Sequence, residues 1–165
     1  NPTRERVVAA VRRVNPFLII TTSPDDYMYD HILTSQLVRD ATFTAPMPNY
    51  ATPGKEPPIA GIPYLYYAVP LGGEDLFGTP IRPTTIVDIT EVMDLKRNAL
   101  ACHESQRIWL RAQHGMDNYI QTMEEWCALT GKEIGVRFAE GFRQHRGHPY
   151  PVDDVITHLV LQARH

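Results

Sequence analysis

The stretch from Phe17 to Phe43, FLIITTSPDDYMYDHILTSQLVRDATF, decides how the rest of the chain is read. Phe17-Leu18-Ile19-Ile20 is a short continuous apolar run, extended by β-branched Thr21 and Thr22, and predicts a parallel strand covered on both faces. Ser23-Pro24-Asp25-Asp26 is turn chemistry. Beyond it Ile32, Leu33, Leu37, Val38 and Ala41 recur at helical spacing, so a helix is expected to start at Asp30 or His31. In open α/β sheets ligands bind beyond the carboxyl ends of the strands, so the residues from Asp25 to His31 are expected to face a site.

Upstream, Val7, Val8, Val11 and Val14 form the apolar stripe of a helix from Thr3 to Val14, and Arg4, Arg6, Arg12 and Arg13 fall on its solvated face. Downstream, Pro46, Pro48, Pro53, Pro57 and Pro58 exclude regular helix or central strand from Ala45 to Gly61, which reads as a surface loop. Tyr64 to Val69 and Thr84 to Ile89 read as strands, with a Gly/Pro loop from Leu71 to Pro83 between them. Tyr64, Tyr66 and Tyr67 suit either a subunit interface or a substrate cleft.

Thr90 is placed to cap a helix running from Glu91 to about Gln113 and stopping near Gly115. A second helix is expected from Met116 to Leu129, ended by Gly131, then a helical segment from Lys132 to Phe142 and a terminal helix from Asp153 to Leu161. Strands alternating with helices predict an α/β, Rossmann-like fold with a mostly parallel sheet and flanking helices.

The 165 residues, 43% of them hydrophobic, suffice for one globular domain. A net charge of −3 and a pI near 6.2 give no general attraction to nucleic acid or anionic membranes. No signal peptide is recognisable within these residues, and no apolar run approaches the roughly 18 residues a spanning helix requires. Cys102 and Cys127 fall in helical patterns without metal or redox spacing, which fits a reduced, cytoplasmic setting. A homo-oligomer is left open.

The segment D-Y-M-Y-D-H, Asp26 to His31, followed by I-L-T-S-Q-L-V-R-D-A, resembles the second metal-binding motif of the LmbE-like (PIG-L) deacetylases, usually D-Y-H-P-D-H. Asp88-Ile89-Thr90, then Lys96, Ala99 and His103-Glu104-Ser105-Gln106, then Gly135 to Phe142, resemble three later motifs in the same order. The resemblance departs at Met28, where many members carry His, and at Tyr29, where they carry Pro. The family's opening A-H-P-D-D, which carries a His and an Asp zinc ligand and the Asp general base, is absent from these residues. With Asn1-Pro2-Thr3 at the start, this implies a single LmbE-like domain, 1–165, missing its first strands.

The resemblance implies a zinc-dependent hydrolase that removes an N-acyl group, most often acetyl, from an amino-sugar derivative, in the complete protein. A non-catalytic sugar-binding or assembly member of the same family is the alternative. His31 is the implied Zn2+ ligand, and Asp30 resembles the carboxylate that orients the motif's first His, with the N-cap of the helix as its simpler role. Because a thioether at Met28 cannot donate a proton, another acid is needed, and His145 and His148 are the candidates. Glu140 and Arg143 suit a polar sugar. His103, three residues before Gln106 on one helical face, reads either as substrate-binding or as a hydrogen-bonded core residue.

Overall fold

The computed structural model describes residues 2–114 and 119–163. They divide into two compact units, 1–85 with 142–165 and 86–141. In the first unit, Pro2 opens helix α1 (Pro2–Val14), where its missing N–H has no partner to lose. Asn15 closes α1 with φ 46° while donating its N–H to Val11 O at 2.8 Å. Val8 and Val11 pack against Ala41 and Ala45, at the end of helix α2 (Tyr29–Thr44) and just past it, and against Ile59.

One arginine departs from the expected solvated face. Arg12 is 6% exposed, and its guanidinium donates to four carbonyl oxygens, Ala45 (3.0 Å), Tyr50 (2.9 Å), Glu56 (2.9 Å) and Met47 (2.6 Å). The proline-rich loop accounts for this inversion: it is poor in N–H donors, and its carbonyls find theirs on Arg12.

The sheet has the order β1-β2-β4-β3, with β1 at Leu18–Thr21, β2 at Tyr64–Ala68, β3 at Thr85–Asp88 and β4 at Ala139–Gln144. β1 and β2 are parallel, pairing Leu18 with Tyr64 through Thr21 with Tyr67. β2 and β4 are antiparallel, pairing Tyr66 with Gln144 and Tyr67 with Arg143. The sheet is therefore mixed, and the mostly parallel arrangement holds for β1 and β2 alone. β1 lies at its edge with Ile20 50% exposed, so the expected cover on both faces of this strand is missing.

Leu65 and Tyr67 of β2 pack with Tyr150, joined by Ile19, Val38 and Ile62. Tyr66 donates to Asp154 Oδ1 at 3.0 Å, and Asp154 caps helix α6 (Val155–Ala163) by accepting from the Thr157 backbone N–H at 3.3 Å, with a further bond from the Thr157 hydroxyl at 2.7 Å. Tyr66 and Tyr67 are thus core residues, and Tyr64 donates to Asp153 at 2.7 Å. The interface or cleft role read for these tyrosines gives way to the core for Tyr66 and Tyr67.

The second unit corrects four expectations. The long helix after β3 is a 3-10 turn (Thr90–Val92), then α3 (Met93–Ala101) and α4 (Glu104–His114), with the break at Cys102 and His103. Thr90 does not cap it, because its hydroxyl exchanges hydrogen bonds with the backbone of Phe138. The stop near Gly115 and the start at Met116 lie outside the described residues. Helix α5 (Tyr119–Ile134) passes through Gly131 and ends at Gly135, whose φ of 73° is the left-handed conformation that glycine adopts at a helix terminus. The segment read as helical from Lys132 to Phe142 therefore splits, its second half becoming β4. Ile89, Met93 and Cys127 form this unit's core with Val87, Met123 and Phe138.

Gly131 is required by the return of the chain over it, since a methyl group there would sit 2.6 Å from Val136 O. Gly131→Ala is expected to destabilise the protein by about 1–3 kcal/mol. Arg12→Ala strands four carbonyls at once and is expected to cost on the order of 3 kcal/mol or more, with Arg12→Lys recovering part of it. Urea unfolding of the three variants against wild type checks both.

Candidate functional site

The elbow between β1 and α2 is built by two short polar side chains that fold the backbone onto themselves. Ser23 Oγ accepts from Asp25 N–H at 3.1 Å and donates to Asp25 O at 2.9 Å, and Asp26 Oδ1 accepts from Met28 N–H at 2.9 Å. Ser23 and Asp26 are both buried. Thr22 Oγ1 donates to His31 O at 2.7 Å, tying the first turn of α2 to the end of β1.

His31 sits in that first turn with its Nδ1 2.9 Å from Asp26 Oδ2. An ionised carboxylate only accepts, so Nδ1 carries the proton and Nε2 keeps its lone pair. The Asp26 side chain is 4% exposed and that of His31 37%, so the carboxylate is fixed while the far edge of the ring stays open. This is the carboxylate–histidine arrangement that commonly presents an imidazole nitrogen to a metal. Asp26 holds the ring. Asp30 is exposed in the first turn of α2 and makes no side-chain hydrogen bond among the described residues; the helix is capped at Met28 without a side-chain bond. An acidic side chain in that first turn is favoured by the helix dipole.

Arg143 comes to the elbow from β4, opposite Tyr67, and its guanidinium pairs with Asp25. His145 lies two residues further along the chain, set back by roughly 7 Å of extended backbone. Its Nδ1 is 3.1 Å from Tyr67 Oη, and its ring meets Tyr150 edge-on with centroids 4.2 Å apart. Tyr150 donates to Arg39 O at 2.8 Å, two turns into α2, or on the order of 12 Å along the helix from His31. Burial, then the charge of Arg39, holds the His145 pKa below the ordinary histidine value. Burial also lifts Tyr150 to about 12.

The remaining candidates are dispersed. His148 is exposed in the turn after β4. In the second unit, Glu140 pairs with Lys96, which also reaches Cys127 Sγ at 3.3 Å. Burial opposes the charge on Lys96, but the Glu140 pairing wins and raises its pKa. His103 lies in the break just before α4 and Gln106 in the first turn of that helix, its N–H donating to His103 O at 3.1 Å, and both are exposed, so they do not form a buried pair.

Among the described residues no three His, Cys, Asp or Glu side chains converge to hold a metal ion. His31 fits as one ligand, by its open Nε2 and buried carboxylate partner. Sequence reasoning placed the site on this elbow but passed over Asp26.

Among the described residues no helix is long and apolar enough to cross a membrane. No family profile matches the chain. Over 106 residues, 63% of this chain, it is 35% identical to 4-oxalmesaconate hydratase of Pseudomonas putida. Over 152 residues, 85% of the chain, it is 28% identical to diacetylchitobiose deacetylase of Thermococcus kodakarensis. The matches span 39% and 49% of those two relatives, so the chain spans half or less of their length. In three dimensions it resembles GalB, the 4-carboxy-2-hydroxymuconate hydratase from P. putida, with TM-score 0.64 and 25% identity over 92% of this chain and 60% of that one. It shares its fold with a conserved protein from Thermus thermophilus, with TM-score 0.69 and 23% identity over 93% of this chain and 61% of that one. The N,N'-diacetylchitobiose deacetylase from Pyrococcus horikoshii has the same fold, with TM-score 0.64 and 23% identity over 92% of this chain and 55% of that one. The chain is thus similar to both a deacetylase and a hydratase, on one common α/β fold.

Proposed function

We propose that this chain carries part of the active site of an LmbE-like, zinc-dependent hydrolase that removes an N-acetyl group from an amino-sugar derivative. The observation that carries the reading is the His31 imidazole, its Nδ1 fixed by buried Asp26 and its Nε2 left open at the carboxyl end of β1. The similarity to diacetylchitobiose deacetylase over 85% of the chain supports it. Zn2+ held there would polarise the acyl carbonyl and acidify a water for attack on it. In this reading the other ligands and the carboxylate base belong to residues outside these 165.

Each elbow residue has a part. Asp26 fixes the tautomer and the orientation of His31. Arg143, held by Asp25, offers a cation at the elbow for a polar substrate or for the oxygen on which negative charge develops. Met28 can neither donate a proton nor carry charge, so protonation of the leaving amine falls to another group. His145 is engaged by Tyr67 and Tyr150 well back from the elbow, whereas His148 is exposed and free to turn, which makes it the better candidate of the two.

A second reading is hydration of an unsaturated polycarboxylate, favoured by the 35% identity to 4-oxalmesaconate hydratase. Both reactions deliver water to a polarised carbon, and Arg143 would serve a substrate carboxylate equally well.

The complete gene product, assayed with N,N'-diacetylchitobiose and with 4-oxalmesaconate, separates the two. Release of acetate with bound zinc is expected; turnover of the hydratase substrate alone would establish the second reading. His31→Ala is expected to lose stoichiometric zinc, and Asp26→Ala to weaken zinc binding about 10–100-fold. Zinc content unchanged in His31→Ala, with neither substrate turned over, would leave a non-catalytic member of the family. His145→Ala should keep kcat within a few-fold of wild type, against the roughly 10²–10⁴-fold loss expected if it were the general acid.

A further inference from the structure

We propose that a cleft between the C-terminal half of α2 and the end of β4 is a second ligand site, one that takes a small carboxylate with a flat apolar body. The cleft encloses about 280 Å³ and is lined by Arg39, Asp40, Phe43, His145 and Tyr150. That volume is near the lower end for small-molecule pockets.

The charges in the cleft favour a singly charged anion. The Arg39 guanidinium has no partner among the described residues, whereas its neighbour Asp40 is held by Arg4, whose Nη2 donates to Oδ1 at 3.1 Å. A guanidinium with free N–H donors matches the two oxygens of a carboxylate in a planar fork. A single cation beside an aspartate suits one negative charge better than the two of a phosphate. The walls are aromatic: the half-exposed Phe43 ring on one helix face and the buried Tyr150 ring, pinned by its bond to Arg39 O. His145 completes the wall, its orientation set by Tyr67 and Tyr150.

Two features separate this cleft from the elbow. Arg39 lies eight residues beyond His31 on α2, on the order of 12 Å along the axis. Among the described residues the cleft is lined by Arg39, Asp40, Phe43, His145 and Tyr150, with Tyr67 behind His145, and no elbow residue is among them. The site therefore stands whether or not His31 binds zinc.

His145 reports occupancy. Burial and then Arg39 disfavour its charged form, so a carboxylate seated on Arg39 removes part of that penalty and raises the titration midpoint of the ring. The test follows the His145 imidazole resonance by NMR, identified by its loss in His145→Gln, while benzoate is added. The expected result is a saturable response with Kd on the order of 1 mM and an upward shift of the His145 midpoint. Benzamide, the neutral analogue, should bind at least about tenfold more weakly, as should benzoate to Arg39→Gln, which keeps the backbone carbonyl that Tyr150 uses. His31→Ala should leave benzoate binding unchanged.

A missing or non-saturating response of His145, equal binding of benzamide, or undiminished binding to Arg39→Gln would overturn the proposal. Tighter binding of inorganic phosphate would overturn the carboxylate assignment, and loss of benzoate binding in His31→Ala would move the ligand to the elbow. Thermal unfolding of Arg39→Gln verifies that any loss of binding occurs in a folded protein.

Discussion

The buried guanidinium of Arg12 is the constraint on which the first unit rests. A loop with five prolines between positions 45 and 61 is short of N–H groups, yet its carbonyls still need donors once they are taken from water. Arg12 brings several donors on one planar group and spends them on Ala45, Met47, Tyr50 and Glu56. The loop is thereby drawn onto α1, and Ile59 enters the core beside Val8 and Val11. From there the chain reaches Tyr64, whose N–H donates to Phe17 O at 2.9 Å and sets the parallel register of β2 against β1. That register carries β2 alongside the strand whose end holds His31.

The elbow was legible because its signals are local. An apolar run, a Ser-Pro-Asp-Asp turn and a helical repeat follow one another, and they fold as β1, turn and α2. The identity of the His31 partner was not legible by adjacency: a residue next to histidine on a helix points about 100° away from it, and the one that reaches back is the turn aspartate five positions earlier. The segment 132–142 misled for a related reason. Its composition suits a helix, but glycines at 135 and 141 each cost a helix about 1 kcal/mol, and the first stands in a left-handed conformation that ends α5. Arg12 defeated amphipathic reading altogether, because its burial depends on carbonyls more than thirty residues away.

A deacetylase and a hydratase on one fold show why the architecture alone does not name a reaction. What the two share with this chain is the α/β fold. The chemistry then turns on the side chains themselves, and here the elbow holds a histidine hydrogen-bonded to a buried aspartate and an arginine brought by the antiparallel strand.

The proline-rich loop also bears on how the protein meets proteases. Lys55 is the one basic residue between Ala45 and Gly61, and it is exposed with φ 55°, its N–H donating to Thr52 O at 3.0 Å. A protease cleaves an extended segment that can leave its own surface, and here the carbonyl of Glu56, immediately after the scissile bond, is bound to Arg12. The residue after that is Pro57. A long surface connection of this composition is therefore resistant to trypsin for as long as α1 stays folded beneath it, and cleavage after Lys55 becomes a clock for the detachment of α1.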